Sequence, residues 1–102
     1  MTERPKGLAD LDQLDAIFNA LAHPTRRQIL TVLRARGGSM TSGELADRFD
    51  CTWPTTSRHL RVLADAKLVT ITSEGRHRQY QLNTEALHTI AGAWIDRFPP
   101  RQ

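Results

Sequence analysis

Apolar residues recur every three or four positions over the first third of the chain, which is the spacing of an amphipathic helix. In the first stretch they are Leu11, Leu14, Ile17, Phe18 and Leu21. Asp10 suits the N-cap position of this helix, because its carboxylate can accept a backbone N–H that has no partner within the helix. A second stretch starts at Pro24 and stops at Gly37-Gly38. The pattern therefore predicts two helices, and the inward positions of the second are Ile29, Leu30 and Leu33.

Two shorter helices follow, separated by only a few residues. The run Thr41-Ser42-Gly43-Glu44 has the form of a capping box, in which a hydroxyl and a carboxylate pair with backbone N–H groups at a helix start. The next helix begins near Trp53, with Thr52 as its N-cap and Pro54 in its first turn. Residues 50–52 leave room for a turn only, so the two helices predict a helix-turn-helix motif.

The second helix of this motif has two chemically different faces. At about 100° per residue, Thr56, Leu60 and Leu63 share one face, which would pack on a core. Side chains that can contact phosphates or base edges occupy the other arc and the helix start: Thr52, Thr55, Ser57, Arg58, His59 and Arg61. We interpret them as a surface that enters the major groove of DNA, the alternative being a merely solvated helix face. His59 could instead pack beneath that surface, and the helical angle of Trp53 favours the core.

A β-hairpin is predicted after this helix. The β-branched run Leu68–Thr72 and the alternating run Gln79–Leu82 flank a turn signal at Ser73-Glu74-Gly75. The tip carries three potentially cationic side chains, Arg76, His77 and Arg78. Their position directly after a groove-reading helix favours a phosphate or minor-groove contact. The alternative is that these charges only keep an edge hairpin soluble and unpaired.

The chain closes with a predicted helix that Asn83 or Thr84 would cap. Its broad apolar stripe consists of Leu87, Ile90, Ala91, Trp94, Ile95 and Phe98. Such a stripe at the end of a short chain needs a partner, and so does the stripe of the first helix, which supports a dimer. We expect one domain over residues 10–98, a loose polar arm at residues 1–9 and a short tail at residues 99–102.

Charge and composition narrow the function. The 102 residues include 14 Lys and Arg against 11 Asp and Glu. The whole surplus falls in residues 51–83. This segment contains two acidic residues, Asp65 and Glu74, and five basic ones: Arg58, Arg61, Lys67, Arg76 and Arg78. A localised basic surplus is what a nucleic-acid footprint looks like. No apolar run approaches a membrane span and no secretory signal is visible, so we expect a cytoplasmic protein.

Enzyme, metal and redox chemistry have little support. No nucleophile-and-base spacing, paired carboxylate motif or phosphate-binding glycine loop occurs, so we expect no enzyme activity. The single Cys51 excludes an intrachain disulfide and a cysteine-rich metal site within one chain, and we expect no cofactor. Cys51 precedes a helix N-terminus, where a thiol can become reactive, although most single cysteines are inert. His23, before Pro24, fits a helix start or an interface.

Four runs carry a family resemblance: Phe18–Leu30, Glu44–Ala46, Ser57–Leu63 and Leu68–Val69. Over about residues 11–98 the chain resembles the ArsR/SmtB family of winged-helix transcriptional regulators. The resemblance implies a mainly α, winged helix-turn-helix fold with about five helices and a two-stranded wing. It also implies a homodimer that binds a near-palindromic operator in double-stranded DNA, with repression relieved by a signal. The interface would use the stripes of the first and last helices: Leu11, Leu14, Phe18, Leu87, Ile90, Ala91, Trp94, Ile95 and Phe98.

The sequence departs from the family pattern in places where that family binds metals. Metal-sensing members carry a Cys-x-Cys pair on the helix before the recognition helix, and the matching positions here are Ala46 and Arg48. The last helix, where other members place Asp and His ligands, offers only Glu85, His88 and Asp96. We therefore predict no metal site, although a shared site between two protomers at His88 stays open. The signal is then a small organic ligand, oxidation at Cys51, or none.

Two further points remain open from the residues alone. Lys67 occupies a position where the family often has glycine, so we expect a less sharply turned end of the recognition helix. The rival function is a winged-helix module that binds protein without sequence-specific DNA binding. Such a module would not need Arg58, Arg61, Arg76 and Arg78 on one surface.

Overall fold

The computed structural model describes residues 6–49 and 52–101, and it arranges the helices around a small sheet. In chain order the elements are α1 (Lys6–Leu21), α2 (Pro24–Ala35), β1 (Ser39–Thr41), α3 (Ser42–Arg48), α4 (Trp53–Asp65), β2 (Val69–Glu74), β3 (His77–Leu82), a π-helical segment (Leu87–Gly92) and α5 (Ala93–Ile95). The sheet is antiparallel with the strand order β1-β3-β2. Helices α3 and α4 form the helix-turn-helix, and β2 and β3 form the wing, so the predicted fold class is confirmed.

The core collects side chains from α1 to α4, from the sheet and from the π-helical segment. Those with no exposed surface are Ile17, Ala20, Ile29, Leu33, Leu45, Leu60, Leu63 and Leu68. Thr56 lies on the same buried face of α4, as predicted from its spacing with Leu60 and Leu63. The Tyr80 side chain of β3 is buried, and its ring meets Trp53 edge-on with 6.4 Å between the ring centroids. Trp53 is half-buried against the core, which agrees with its helical angle.

Local hydrogen bonds fix the starts of α2 and α3. The His23 Nδ1 atom accepts the Thr25 N–H (3.2 Å), so His23 is a helix-start residue, one of its two predicted roles. The capping box at α3 is confirmed, because Glu44 N–H donates to the Thr41 hydroxyl (3.2 Å) and Thr41 N–H donates to the Glu44 carboxylate (3.1 Å). The Thr41 backbone N–H, the Thr41 hydroxyl and Arg36 together lower the pKa of Glu44.

Helix α4 ends in a sharp Schellman turn although the residue in the left-handed position is a lysine. Lys67 has φ +65°, its N–H donates to the Ala64 carbonyl (3.0 Å), and the Leu68 N–H donates to the Leu63 carbonyl (2.9 Å). Our expectation of a less sharp turn was therefore wrong. The buried Leu63 and Leu68 side chains bracket the turn and hold the backbone there despite the Cβ of Lys67.

The sheet differs from the predicted hairpin in two ways. A third strand, β1, pairs Met40 with Tyr80 and places Met40 in the core. At three residues it is too short to show the alternation that signals a strand. The hairpin turn is also shorter than predicted, because β2 continues through Ser73 to Glu74 and only Gly75 and Arg76 remain outside the strands. Gly75 has φ +60°, which two-residue hairpin turns require at their first position.

One predicted N-cap is wrong, and a second lacks its expected hydrogen bond. Helix α1 begins at Lys6, so Asp10 lies inside it, and residues 6–9 belong to a helix rather than to the expected arm. Leu8 and Ala9 are good helix formers and extend the helix backward. The rest of that arm lies outside the described residues. Thr52 does occupy the N-cap position of α4, but its hydroxyl donates to the Thr55 hydroxyl (3.1 Å) instead of accepting a helix N–H.

The last helix is continuous but changes its winding. The Asn83 carboxamide accepts the Glu85 N–H (3.2 Å), which agrees with a cap at that position. The backbone then winds as a π-helix from Leu87 to Gly92 before α5 ends at Ile95. A π-helical turn contains more residues than an α-helical turn, so later side chains depart from α-helical spacing. Phe98, which the stripe placed on this helix, lies beyond α5, which ends at Ile95.

We expect Lys67→Gly to stabilise the fold by about 0.5–1 kcal/mol, because glycine adopts the left-handed conformation without the steric cost that a Cβ imposes. The free energy of unfolding in urea is the measurement. Gly37 closes α2 in an equivalent turn at φ +89°, so Gly37→Ala is the matched control and should destabilise by about 1 kcal/mol. Lys67→Ala should change little. A loss of stability in Lys67→Gly would contradict the steric explanation.

Candidate nucleic-acid interface

The outward face of α4 presents its two arginines to solvent. Arg58 and Arg61 are exposed, while Thr55 and Ser57 between the helix start and Arg58 are half-buried. Thr52 is exposed at the N-cap position and is tied to Thr55 by the hydroxyl contact described above. The structure thus brings all five of these predicted DNA-contact residues onto one helix and its entrance. Guanidinium groups on such a face can reach base edges and phosphates.

The wing supplies a second basic surface. Arg76 lies in the two-residue turn, and His77 and Arg78 begin β3, with all three side chains exposed. Among the side chains that the structure describes, no carboxylate is ion-paired with Arg58, Arg61, Arg76 or Arg78; the ion pair found there joins Arg36 and Glu44 (3.3 Å). The cations of α4 and the wing are therefore available to an external anion.

His59 occupies a different environment from its neighbours on α4. Its ring is half-buried and contacts the ring of His23, with 4.5 Å between the centroids and 52° between the planes. Partial burial lowers the pKa of His59, and the nearby His23, Arg26 and Arg58 lower it further. Of the two roles that the sequence left open, this contact corresponds to packing beneath the reading surface. The partner could not be foreseen, because His23 is distant in sequence.

Two arginines of α2 hold the end of α1, a role that the sequence did not reveal. Arg26 donates from Nε to the Ala20 carbonyl (2.8 Å) and from Nη2 to the Asn19 carbonyl (3.3 Å). Arg27 donates from Nη1 to the Leu21 carbonyl (2.7 Å). These carbonyls lack partners within α1, and cations near a helix C-terminus are stabilising. The corner between α1 and α2, on which α4 packs, is fixed in this way.

The first and last helical elements share an aromatic, partly exposed face. Trp94 contacts Phe18 edge-on (5.6 Å between ring centroids) and Phe98 in a tilted arrangement (5.0 Å). Leu11, Ile90 and Trp94 also line a groove of about 310 Å³. The most exposed large apolar side chains described are Phe98 (64%), Ile95 (54%), Leu11 (46%) and Phe18 (37%).

The residues predicted for dimerisation therefore divide into two groups. Leu14 and Ala91 are buried inside the chain itself, so they have little surface to offer a partner. Leu87, Ile90 and Trp94 are half-buried. The exposed group, which keeps apolar area in contact with water, consists of Leu11, Phe18, Ile95 and Phe98. Exposed apolar patches of this kind mark interaction sites.

The described residues contain no group of three or more His, Cys, Asp or Glu side chains arranged to hold a metal ion. Cys51, the candidate redox residue, lies outside them. None of the described helices combines the length and apolar character needed to cross a membrane.

Comparison with known proteins supports the assignment that this geometry suggests. A family model described as a helix-turn-helix domain matches residues 21–72, from the end of α1 into β2. The transcriptional repressor SdpR of Bacillus subtilis is 38% identical over 74 residues, covering 72% of this chain and 80% of SdpR.

Solved structures agree with the sequence relatives. The crystal structure of RHA00566, an ArsR family transcriptional regulator, is 34% identical with a TM-score of 0.76, covering 95% of this chain and 91% of that one. A homodimeric winged helix-turn-helix DNA-binding domain from Mycobacterium bovis, 24% identical with a TM-score of 0.72, covers 95% of this chain and 89% of that one. At this identity the second likeness supports the fold alone.

The helix-turn-helix, the adjoining wing and the free cations on both define a winged helix-turn-helix DNA-binding protein. Within this class, the chain belongs to the ArsR family of transcriptional regulators. The protein is accordingly a regulator and not an enzyme.

Proposed function

We propose that the protein is a dimeric repressor that binds a near-palindromic DNA operator in the cytoplasm. The observation that carries the proposal is the set of exposed cations on α4 and the wing that are not ion-paired with any described carboxylate. Phosphate contacts supply most of the affinity of a DNA-binding protein, and base contacts supply its specificity. A surface of this composition on an ArsR family chain has the groups needed for both.

Helix α4 would lie in the major groove with its N-terminal half toward the bases. Arg58 reaches furthest from this half, and its guanidinium can bind the two acceptors of a guanine edge. Thr55 and Ser57 are short and half-buried, so they suit nearby phosphates or bases that approach closely. Arg61 lies one turn further on, next to Lys67 and Thr70, with which it lines a groove between α4 and β2.

The wing would contact the sugar–phosphate backbone beside that groove. Arg76 and Arg78 are exposed at the hairpin tip, and His77 between them adds a third donor. Because the tip consists of a tight two-residue turn, these side chains are carried by paired strands rather than by a loose loop. The wing therefore suits anchoring on phosphates more than reading of sequence.

The exposed apolar group on the first and last helices supports a dimer. Leu11, Phe18, Ile95 and Phe98 would be covered by the same surface of a second copy in a two-fold arrangement. The Mycobacterium bovis domain is a homodimer with this fold, which supports the proposal by likeness. Two recognition helices in such a dimer enter successive major grooves about 34–36 Å apart.

Selection of bound sequences from a random DNA pool tests the proposal directly. We expect enrichment of a two-fold symmetric sequence whose half-sites are separated by about one helical turn. A pool that shows no enrichment while the protein remains folded would refute sequence-specific binding. Enrichment of a single half-site would refute the symmetric arrangement but not the DNA contact.

The Arg58→Ala variant should lose discrimination between DNA sequences. If Arg58 contacts a base, its loss costs about 1–3 kcal/mol on the selected site and much less on unrelated DNA. Fluorescence anisotropy with the selected duplex and a scrambled duplex measures both values. Arg34→Ala, which removes an exposed arginine from α2, is the matched control and should behave as the parent protein. Equal losses on both duplexes would assign Arg58 to a phosphate.

The wing variants Arg76→Ala and Arg78→Ala should weaken binding to both duplexes alike. Each lost phosphate contact lowers the slope of log affinity against log salt concentration by about one unit, because fewer counterions are released. Titrations at several salt concentrations give this slope. If affinity and slope both stay at the parent values, the wing charges act only as solubilising groups.

We expect the protein to sediment as a dimer at micromolar concentration, and Ile95→Glu to shift it to monomer. The substituted carboxylate would place a charge where the proposed interface excludes water. Gln28→Glu adds the same charge at an exposed position of α2 and should leave the dimer intact. A parent protein that sediments as a monomer would contradict the proposed assembly.

Thiophilic metals should not release the protein from DNA. Ala46 and Arg48 occupy the positions where metal-sensing members of the family carry thiols, and thiolates or imidazoles dominate such sites. Cadmium or arsenite titrated into the complex with the selected duplex should leave its anisotropy unchanged. Release of DNA at stoichiometric metal would show that the ligands lie elsewhere, with His88 of the last helical segment as the first to replace.

A further inference from the structure

Two histidine rings join the start of α2 to the middle of the recognition helix. His23 belongs to the connection between α1 and α2, and His59 lies on α4 between the exposed Arg58 and the buried Leu60. Their ring centroids are 4.5 Å apart, a distance at which aromatic rings attract each other. The contact ties the reading half of α4 to the α1–α2 corner that Arg26 fixes through the α1 carbonyls.

His23 also holds the start of α2. Its Nδ1 atom accepts the Thr25 N–H (3.2 Å), which would otherwise have no partner within the helix. The same ring therefore caps one helix and contacts the recognition helix.

The surroundings of His59 favour its neutral form. Partial burial is the largest cause of its lowered pKa, and His23, Arg26 and Arg58 lower that pKa further. Among the described residues, no carboxylate offsets these effects.

We propose that His23 is a positioning residue for DNA recognition, which holds His59 and the reading half of α4 against the start of α2 through the contact between the two rings. The link to DNA rests on the proposed function, whereas the contact itself does not. The role differs from base reading, because neither ring needs to touch the operator. It assigns to His59 the task of fixing the angle from which Arg58 approaches the bases.

The sign of the pH dependence follows from the lowered pKa of His59. The stability that a neutral His59 ring contributes is fully present above the pKa of an unfolded histidine, 6.5. This stability is lost as pH falls through the lower pKa of His59 in the folded chain. Melting temperature should therefore fall between pH 8 and pH 5 by more than carboxylate protonation alone produces.

A double-mutant cycle tests the contact. His23→Asn keeps a good N-cap residue but removes the ring, and His59→Gln removes the second ring. Melting temperatures are measured at pH 8 and at a fixed protein concentration. We expect the double variant to lose less than the sum of the losses of the two single variants. At pH 5 this coupling should be smaller than at pH 8, because part of the His59 population is then protonated. His77→Gln, at the exposed wing, is the control and should show no coupling with His23→Asn at either pH.

A coupling that is zero at pH 8, or equal at both pH values, would overturn the proposal. Should His59→Gln fail to fold, His59→Phe serves instead, because it keeps a ring without a titrating group. That variant should retain its coupling with His23 at pH 5. Loss of coupling at pH 5 in the phenylalanine variant would also count against the proposal for His59.

Positioning has a separate readout in amide ¹H–¹⁵N spectra. At pH 8, His23→Asn should shift the resonances of residues 55–61 in the directions that acid shifts them in the parent chain. With the selected duplex, the variant should bind severalfold more weakly while its affinity for scrambled DNA is unchanged. Shifts confined to the neighbourhood of residue 23, or equal weakening on both duplexes, would refute positioning. Failure to select any operator would refute the proposed function, while the double-mutant cycle would still decide whether the contact between the two rings exists.

Discussion

The burial of one face of α4 is the constraint on which the rest of this structure depends. Leu60 and Leu63 have no exposed surface, and α4 packs against α1, α2 and β2. Each buried leucine contributes about 1.5–3 kcal/mol, so the face outweighs any single polar contact on the opposite side of the helix. Burial of this face also fixes the rotation of α4 about its axis, and this rotation decides which side chains point outward. The exposure of Arg58 and Arg61 is a consequence of what lies beneath them.

The parts of the fold that depend on local spacing were predictable from the sequence. The buried face of α4, the capping box at Thr41 and the stop of α2 at Gly37 each involve residues within one or two helical turns. Their physical causes, periodic burial and backbone hydrogen bonding, act over the same short range. The basic surface was predictable for the same reason, since the helix and hairpin that carry it are local units.

The parts that sequence reasoning missed depend on contacts between distant residues or on tertiary control of the backbone. Strand β1 exists because Met40 pairs with Tyr80 on a strand formed much later in the chain. Lys67 adopts a glycine-like conformation because buried neighbours on both sides fix the turn, so propensity at that residue is overridden. The π-helical segment altered the spacing of the last apolar stripe, and periodicity assumes an unbroken α-helix.

The arginines of this chain show why residue type alone did not define the site. Arg26 and Arg27 resemble the others in the sequence, yet both donate to carbonyls at the end of α1. Arg58 and Arg76 have no such bonds among the described residues, and their charge remains available to an anion. A small net charge is therefore compatible with DNA binding, because what matters is which cations are exposed. Arg26 and Arg27 stabilise the α1–α2 corner, while Arg58 and Arg76 remain free to bind an anion. The fold separates these two groups because Arg26 and Arg27 lie within reach of the α1 carbonyls, whereas Arg58 and Arg76 are exposed on α4 and the wing.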